Sequence, residues 1–414
     1  MIKIFLFLIY VPFVLYFIYN QFKRYKISLT MVFAFFQLIM FLGVLNTANF
    51  EYTPDTILVL LYPVSFLFFY FGILINRTRN SKVFTYKVTN QRLTQNQNII
   101  IFSIIIFSII INLWYFSRID ISIYREIFSS ILSFEDINIT NYRLSTYQLS
   151  GTGYVYQFRV ILLPILTAYL ISNKNEKLHK FGLFILPIMF IFLIATGQRG
   201  GFVIFVIIWV SYFLLMKKYF HEKVGRYLLI ISIVGISIFG FVTILNGRNL
   251  VSGSFISAIF DRAFLDNQQT ALQGFRYIYN QNIVYGKDWI IMIINVTPFK
   301  IDYLPLPYQI FNIMYGSTRG TAPSDIWGSA WYNFGIFGVT GLSFLIGFFY
   351  NKIDKNFRRG NITPFRTMLY AGMAVIAGTW VAEGPVVLFN QGFVTLVILY
   401  AITSSYIFTI RRFE

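Results

Sequence analysis

Residues 57–75 read ILVLLYPVSFLFFYFGILI, residues 77–97 read RTRNSKVFTYKVTNQRLTQNQ, and residues 99–117 return to IIIFSIIIFSIIINLWYFS. An apolar run of that length forms a helix of about 28 Å, enough to cross a hydrocarbon core of roughly 30 Å. The segment between the two runs holds Arg77, Arg79, Lys82, Lys87 and Arg92 and no acid, the mark of a connection retained on the cytoplasmic side. Two spans around a basic loop are the repeating unit of a polytopic membrane protein. Outward from this pair the pattern continues, and eleven spans are predicted, at 2–20, 28–45, 57–75, 99–117, 154–172, 181–196, 201–216, 227–246, 330–350, 366–382 and 391–410. The first lacks a small-residue cleavage site and runs into Lys23, Arg24 and Lys26, so it reads as a span and not as a removable signal.

Composition agrees. Of 414 residues 57% are hydrophobic, 20% aromatic and 12% charged, against roughly 45–50% apolar and 25% charged in soluble domains. The absence of cysteine excludes disulfides and thiolate chemistry. With only His179 and His221, a histidine-based zinc site has almost no ligands. Both histidines fall in cytoplasmic connections and read as solvated loop residues.

The net charge of +18 would suggest nucleic acid in a soluble protein. Topology removes that need. Alternate connections and the C-terminal tail hold 22 basic residues with only Glu176, Glu222, Asp354 and Glu414 among them, so this face is cytoplasmic, the N-terminus outside and the C-terminus inside. The outer face is left with twelve basic and twelve acidic residues. The chain is thus expected to be one all-α polytopic membrane domain, 1–414. Two long extracytoplasmic loops interrupt it, at 118–153 and 247–329. Amphipathic stretches in both (Ile123 to Leu132, Phe255 to Phe264) suit the membrane interface. Trp289 to Val296 is apolar but too short to span, which suggests a re-entrant or lid segment.

The outer basic residues are mostly arginine: Arg118, Arg125, Arg143, Arg159, Arg199, Arg248, Arg262, Arg276 and Arg319, with Lys3, Lys287 and Lys300. Lysine would serve topology equally well, whereas the guanidinium fork binds phosphate bidentately. The plainer explanation is pairing with the outer acids. The sharpest local signal is Thr196-Gly197-Gln198-Arg199-Gly200-Gly201, a tight turn opening a helix. Arg199, the free amides of that helix start, and two glycines admitting an anion to the backbone together make an anion site. A hairpin with a snorkelling arginine would look the same. A second polar run, Thr318 to Gly328 with Arg319 and Asp325, reads as the rim of an outward-opening cavity. Glu383-Gly384-Pro385 places an acid at a broken helix end, where ionisable groups are costly. There is no P-loop, GxGxxG, HExxH, GxSxG or Asp-x-Asp.

The Thr-Gly-Gln-Arg-Gly-Gly turn resembles the Ser/Thr-Gly-x-Arg-Gly turn of bacterial O-antigen polymerases (Wzy type) and the related O-antigen ligases. So does the single large outer loop late in the chain. The run Trp331-Tyr332-Asn333-Phe334-Gly335-Ile336-Phe337-Gly338 is similar to the late-helix pattern of oligosaccharide repeat-unit polymerases. The resemblance implies a GT-C-like membrane glycosyltransferase in the bacterial cytoplasmic membrane. It would polymerise undecaprenyl-pyrophosphate-linked repeat units at the outer face, for O-antigen or capsule, without cofactor or metal. Its implied partners are the lipid-linked oligosaccharides, membrane lipid, and a chain-length regulator and flippase of the same pathway. Arg199 matches the turn arginine; Arg248 and Arg319 flank the large loop and match less closely. The Arg-x10-Gly pattern of some members is absent, and so is the ligases' outer-face histidine.

Chemically, arginine would neutralise the charge growing on the leaving pyrophosphate. Gly200, Gly201, Arg159 and Arg276 join Arg199, Arg248 and Arg319 as candidate pyrophosphate contacts. A base must take the proton of the acceptor hydroxyl. Asp325 and Glu383 are the candidates, with Asp261, Asp266 and Asp288 behind them. The rival readings are a ligase or other lipid-linked glycosyltransferase, and a flippase or transporter. The last would show charged residues inside spans and repeated halves.

Overall fold

The computed structural model describes residues 2–75, 95–122, 125, 152–194, 200–216, 221, 223–233, 267–295, 297, 299, 301–318, 321–359, 363–384 and 392–404. The regular structure among them is helical throughout. In chain order the helices are α1 (Ile2–Tyr25), α2 (Leu29–Thr47), α3 (Thr53–Ile75), α4 (Gln95–Phe116) and α5 (Thr152–Tyr156). A π-helical turn (Gln157–Leu162) leads into α6 (Leu163–Ile171), followed by α7 (Glu176–Ile194), α8 (Gly200–Met216) and α9 (Val224–Ile233). Then come α10 (Asn267–Tyr279), α11 (Lys287–Ile294), α12 (Leu306–Tyr315), α13 (Asp325–Arg359), α14 (Pro364–Glu383) and α15 (Phe393–Ser404). Each of the eleven predicted spans overlaps a described helix, in whole or in part. Among the described residues, seven helices are long and apolar enough to cross a membrane: α1, α2, α3, α4, the run α5 to α6, α13 and α14. Helix α8 is shorter, and the descriptions of α9 and α15 stop short of the predicted ends. The described residues form an all-helical structure consistent with a polytopic membrane protein.

The contacts divide the chain into two compact units. Unit 1 holds residues 1–87, 260–362 and 373–389; unit 2 holds 88–259, 363–372 and 390–414. The amphipathic stretches at 123–132 and 255–264 lie almost wholly outside the described residues.

In unit 1 the axis is the packing of α13 along α3. The backbones touch at glycines: a Cβ on Gly72 would overlap the carbonyl of Phe344, and one on Gly347 the carbonyl of Phe69. Small residues permit this approach, which substitutes for a hydrophobic driving force inside a bilayer. Asn351 then donates from Nδ2 to the carbonyl of Ile73, 2.9 Å away. One turn further, the buried carboxylate of Asp354 caps α2 from a different helix. It accepts from the amides of Leu29 (2.9 Å) and Thr30 (3.3 Å) and from the Thr30 hydroxyl (2.8 Å). An anion there also meets the positive end of the helix dipole. Counted from sequence among the acids of a cytoplasmic connection, Asp354 is a buried residue of α13. The same end of unit 1 gathers Lys23 and Arg24 at the end of α1 and Arg358 and Arg359 at the end of α13.

Helix α13 is broken at Gly335, whose φ of 61° and ψ of −148° lie outside the helical region. A Cβ on Gly338 would overlap the carbonyl of Ala330. In a straight helix those two residues would stand about 12 Å apart along the axis. The chain therefore reverses sharply, and residues 325–334 form a half-helix before the long descent along α3. The start of that half-helix is deep. Asp325 meets Tyr62, which is nine residues, about 14 Å, inside α3. Trp327 packs edge-on against Phe33, which itself contacts Phe69 and Tyr350.

Residues 267–324 cap the Thr53 end of α3. Ile278, Leu306, Ile310 and Ala322 of this segment form a core with Tyr332 of the half-helix. Of the stretch Trp289 to Val296, expected to be re-entrant or a lid, Trp289 to Ile294 belong to a short helix, Lys287–Ile294, seated on the half-helix. The Val284 and Gly286 amides bond the carbonyls of Tyr332 and Asn333, and Trp289 Nε1 donates to Ser329 Oγ at 2.8 Å.

In unit 2, α6 and α7 pack as a hairpin whose far end holds both histidines. His179 is buried, donates from Nδ1 to the Ile171 carbonyl at 2.6 Å, and stacks on His221 with ring centroids 4.1 Å apart. The expected pair of solvated loop histidines is thus a packed structural contact, closed by Glu176 3.4 Å from His221 Nε2.

Candidate functional site

Unit 2 contains a deeply buried basic residue. Arg159 is 1% exposed, inside a helix apolar enough to cross a membrane, with its guanidinium 5.7 Å from the ring centroid of Tyr156. It sits on the π-helical turn, closed by the Leu163 amide bonding back to the Phe158 carbonyl. A π turn inserts an extra residue into the ladder and re-aims the side chains on it, a distortion found disproportionately at functional sites. Ionisable groups at membrane depth carry the same implication. Close by, the Thr395 hydroxyl donates to Gln157 Oε1, holding the start of α15 to this turn.

The glycine-led start of α8 comes to the same place. A Cβ on Gly201 would stand 3.0 Å from Val160 Cγ1 and 3.3 Å from Leu193 Cδ2. Gly201 thus lies against the immediate neighbour of Arg159. The small side there serves apolar packing. Arg199 and the rest of the turn through Thr196, as well as Arg248 and Arg319, lie outside the described residues; Gly200 is the first residue of α8.

In unit 1 the carboxylates separate by what their oxygens do. Arg276, expected to hold pyrophosphate, is committed elsewhere. Its Nε and Nη2 grip the two oxygens of Asp55, each at 2.7 Å, and Asp55 Oδ2 also accepts the Asn49 amide at 2.8 Å. A bidentate pair to a fully buried carboxylate neutralises the guanidinium and pins α10 to α3. Arg276 is a structural clamp.

Asp325 is fully buried instead of lying on a cavity rim. Its backbone is left-handed, φ 62°, a conformation that aspartate tolerates better than most residues. Oδ1 accepts the Gly328 amide and Oδ2 the Tyr62 hydroxyl, both at 2.6 Å. The first bond is an N-cap, so the carboxylate ties the half-helix start to α3. The second candidate does come near the first. Glu383 ends α14, and a Cβ on the following Gly384 would stand 3.7 Å from the Asp325 carbonyl oxygen and 3.6 Å from Ser329 Cβ.

Asp288 differs from both. It is fully buried, its Oδ1 accepts the Leu306 amide at 2.9 Å, and Oδ2 has no hydrogen-bond donor. Among the described residues, the other buried carboxylates, Asp55, Asp325 and Asp354, have both oxygens bonded. Burial pushes the Asp288 carboxyl up to about 6, moderated by the Leu306 amide and by the nearby Asn333 and Tyr303 side chains. A carboxylate with a vacant oxygen and raised proton affinity suits a base near neutral pH. Asp261 and Asp266 are outside the described residues. No three potential ligands among those described are grouped to hold a metal ion.

Tyr62 and Asp55, the partners that settle the roles of Asp325 and Arg276, were missed from sequence. Tyr62 is one hydroxyl in an apolar run, and Asp55 one acid at a helix start; only the pairing marks them. No family model, curated protein or solved structure matches this chain.

Proposed function

We propose that this protein is a membrane glycosyltransferase that polymerises lipid-linked oligosaccharide repeat units, working at the outer face of the bacterial cytoplasmic membrane with its C-terminus inside. The anomeric carbon of the growing glycan breaks its bond to the pyrophosphate oxygen of undecaprenyl pyrophosphate. It bonds to a hydroxyl oxygen of an incoming unit, the hydroxyl proton passes to a carboxylate, and undecaprenyl pyrophosphate leaves.

The observation that carries this reading is the buried Arg159 on its π turn beside the start of α8, the helix that the Thr196–Arg199 turn opens. A desolvated guanidinium attracts a phosphate far more strongly than one in water. In this reading Arg159 and Arg199 hold the pyrophosphate and neutralise the charge that grows on it. The composition of the outer face, nine arginines to three lysines, supports the same assignment. Within unit 1, Asp288 differs from Asp325 in having an oxygen without a donor, and its role as base is tested separately from the arginines of unit 2.

The deciding experiment supplies purified protein in lipid nanodiscs with the lipid-linked repeat unit and nothing else. A ladder of products without sugar nucleotide or ATP is expected. Transfer of a single glycan to a non-glycan lipid acceptor, with no ladder, would replace polymerase by ligase. No transfer of either kind would reject both.

A further inference from the structure

We infer that α11 and the turn preceding it form an interfacial foot, whose apolar side is embedded in the bilayer leaflet at the Thr53 end of α3. The inference needs only that the chain spans a membrane, and stands apart from any catalytic reading.

Three observations carry it. The first is exposure by position. On α11, Lys287, Ile290 and Ile293 point outward, while Asp288, Ile291 and Met292 are buried against the rest of unit 1. Ile290 is 57% and Ile293 46% exposed, and Ile283 and Tyr285 in the preceding turn are 40% and 80% exposed. One stripe with a lysine at one end and isoleucines along it is the pattern of a helix lying in an interface, its ammonium reaching up to water.

The second is continuity with the lipid-facing side of a span. Ile283 Cδ1 would be 3.0 Å from a Cβ on Gly335, at the break from which α13 begins its long descent. The Phe334 ring covers Gly286 and lies edge-on to Trp289, with centroids 5.6 Å apart. Directly after the break Ile336 is 40% and Phe337 83% exposed, as lipid-facing residues of a span are. The apolar surface therefore runs unbroken from Phe337 through Phe334 and Ile283 to Ile290.

The third is depth. The 24 residues from Ile336 to Arg359 give about 36 Å of helix, a little more than the roughly 30 Å hydrocarbon core. Phe337 thus enters the hydrocarbon near its edge. The foot is tied to the residues just before that point by two backbone hydrogen bonds, Val284 to Tyr332 and Gly286 to Asn333. That height is the interface, where tyrosine and tryptophan are favoured.

The chain has no cysteine, so single nitroxide labels test this cleanly. Labels at 290, 293 and 337, with Glu51 and Asn282 replaced as exposed polar references, are compared in proteoliposomes by power saturation. Positions 290 and 293 are expected to match 337, with higher accessibility to oxygen than to a water-soluble nickel chelate. References at 51 and 282 should show the reverse. Nickel accessibility at 290 and 293 equal to that at 282 would place the foot in water and overturn the inference. Shielding of 290 and 293 from both reagents would mean that protein covers them, a second copy or another segment of the chain, and would overturn it equally.

Discussion

Replacing Asp288 by asparagine should make the cap on the Thr53 end of α3 more stable at neutral pH. The asparagine keeps the oxygen that accepts the Leu306 amide and removes only the ionisable function. Burial raises the carboxyl from 3.8 to about 6, so the folded cap prefers the neutral form. The stabilisation by the bound proton is fully present below the unfolded value of 3.8 and is lost as pH rises to the folded value near 6. A shift of about two units corresponds to about 3 kcal/mol across that window. Hydrogen exchange of the amides around Leu306, corrected for the intrinsic dependence on pH, measures it in nanodiscs. The wild-type opening free energy should fall by about 3 kcal/mol between pH 4 and pH 7, and the Asn variant should stay nearly level. At pH 7 the variant should be the better protected of the two. Parallel pH profiles would refute the assignment of an ionising, half-bonded carboxyl at this position. The same variant should lose chain extension if Asp288 is the base, a loss that the gain in stability separates from misfolding.

Four further outcomes follow from named contacts. Asp354→Ala leaves the amides of Leu29 and Thr30 buried without an acceptor and should destabilise unit 1 by about 3 kcal/mol, read as a lower thermal midpoint in detergent. Gly347→Leu drives a side chain into the backbone of Phe69 and should cost about 3 kcal/mol or more, seen as loss of monodisperse protein on gel filtration. Arg159→Lys and Arg199→Lys should each lose most polymerisation with normal protein levels, because lysine keeps the charge but not the fork; wild-type product lengths would support a plain hairpin at 196–201. Single cysteines at 90 and 282 should label with an impermeant reagent only at 282 in intact cells, and the reverse pattern would invert the topology.

The apolar helices were legible because they rest on local quantities, run length and hydropathy. The short helices α10 and α12, within the stretch read as a loop, were not. What escaped was set by pairing across long separations. Asp354 is one acid in a basic connection until α2 brings Leu29 and Thr30 to it. Arg276 reads as a phosphate ligand until Asp55, 221 residues away, closes on it. Asp325 followed the same course. Its polar neighbours predicted a rim, but a single glycine with positive φ, Gly335, turns the helix back and carries the aspartate down to Tyr62. No periodicity encodes that reversal, since both halves are helical and apolar enough to read as one span. The site candidates therefore sort by a rule that hydropathy cannot supply. A charge whose partners are fixed within the fold holds the fold together, as Asp55, Asp325 and Asp354 do. A carboxylate left with a vacant oxygen, as Asp288 is, costs the fold stability that its amide would not. That cost is what makes Asp288 the carboxylate on which to test catalysis first.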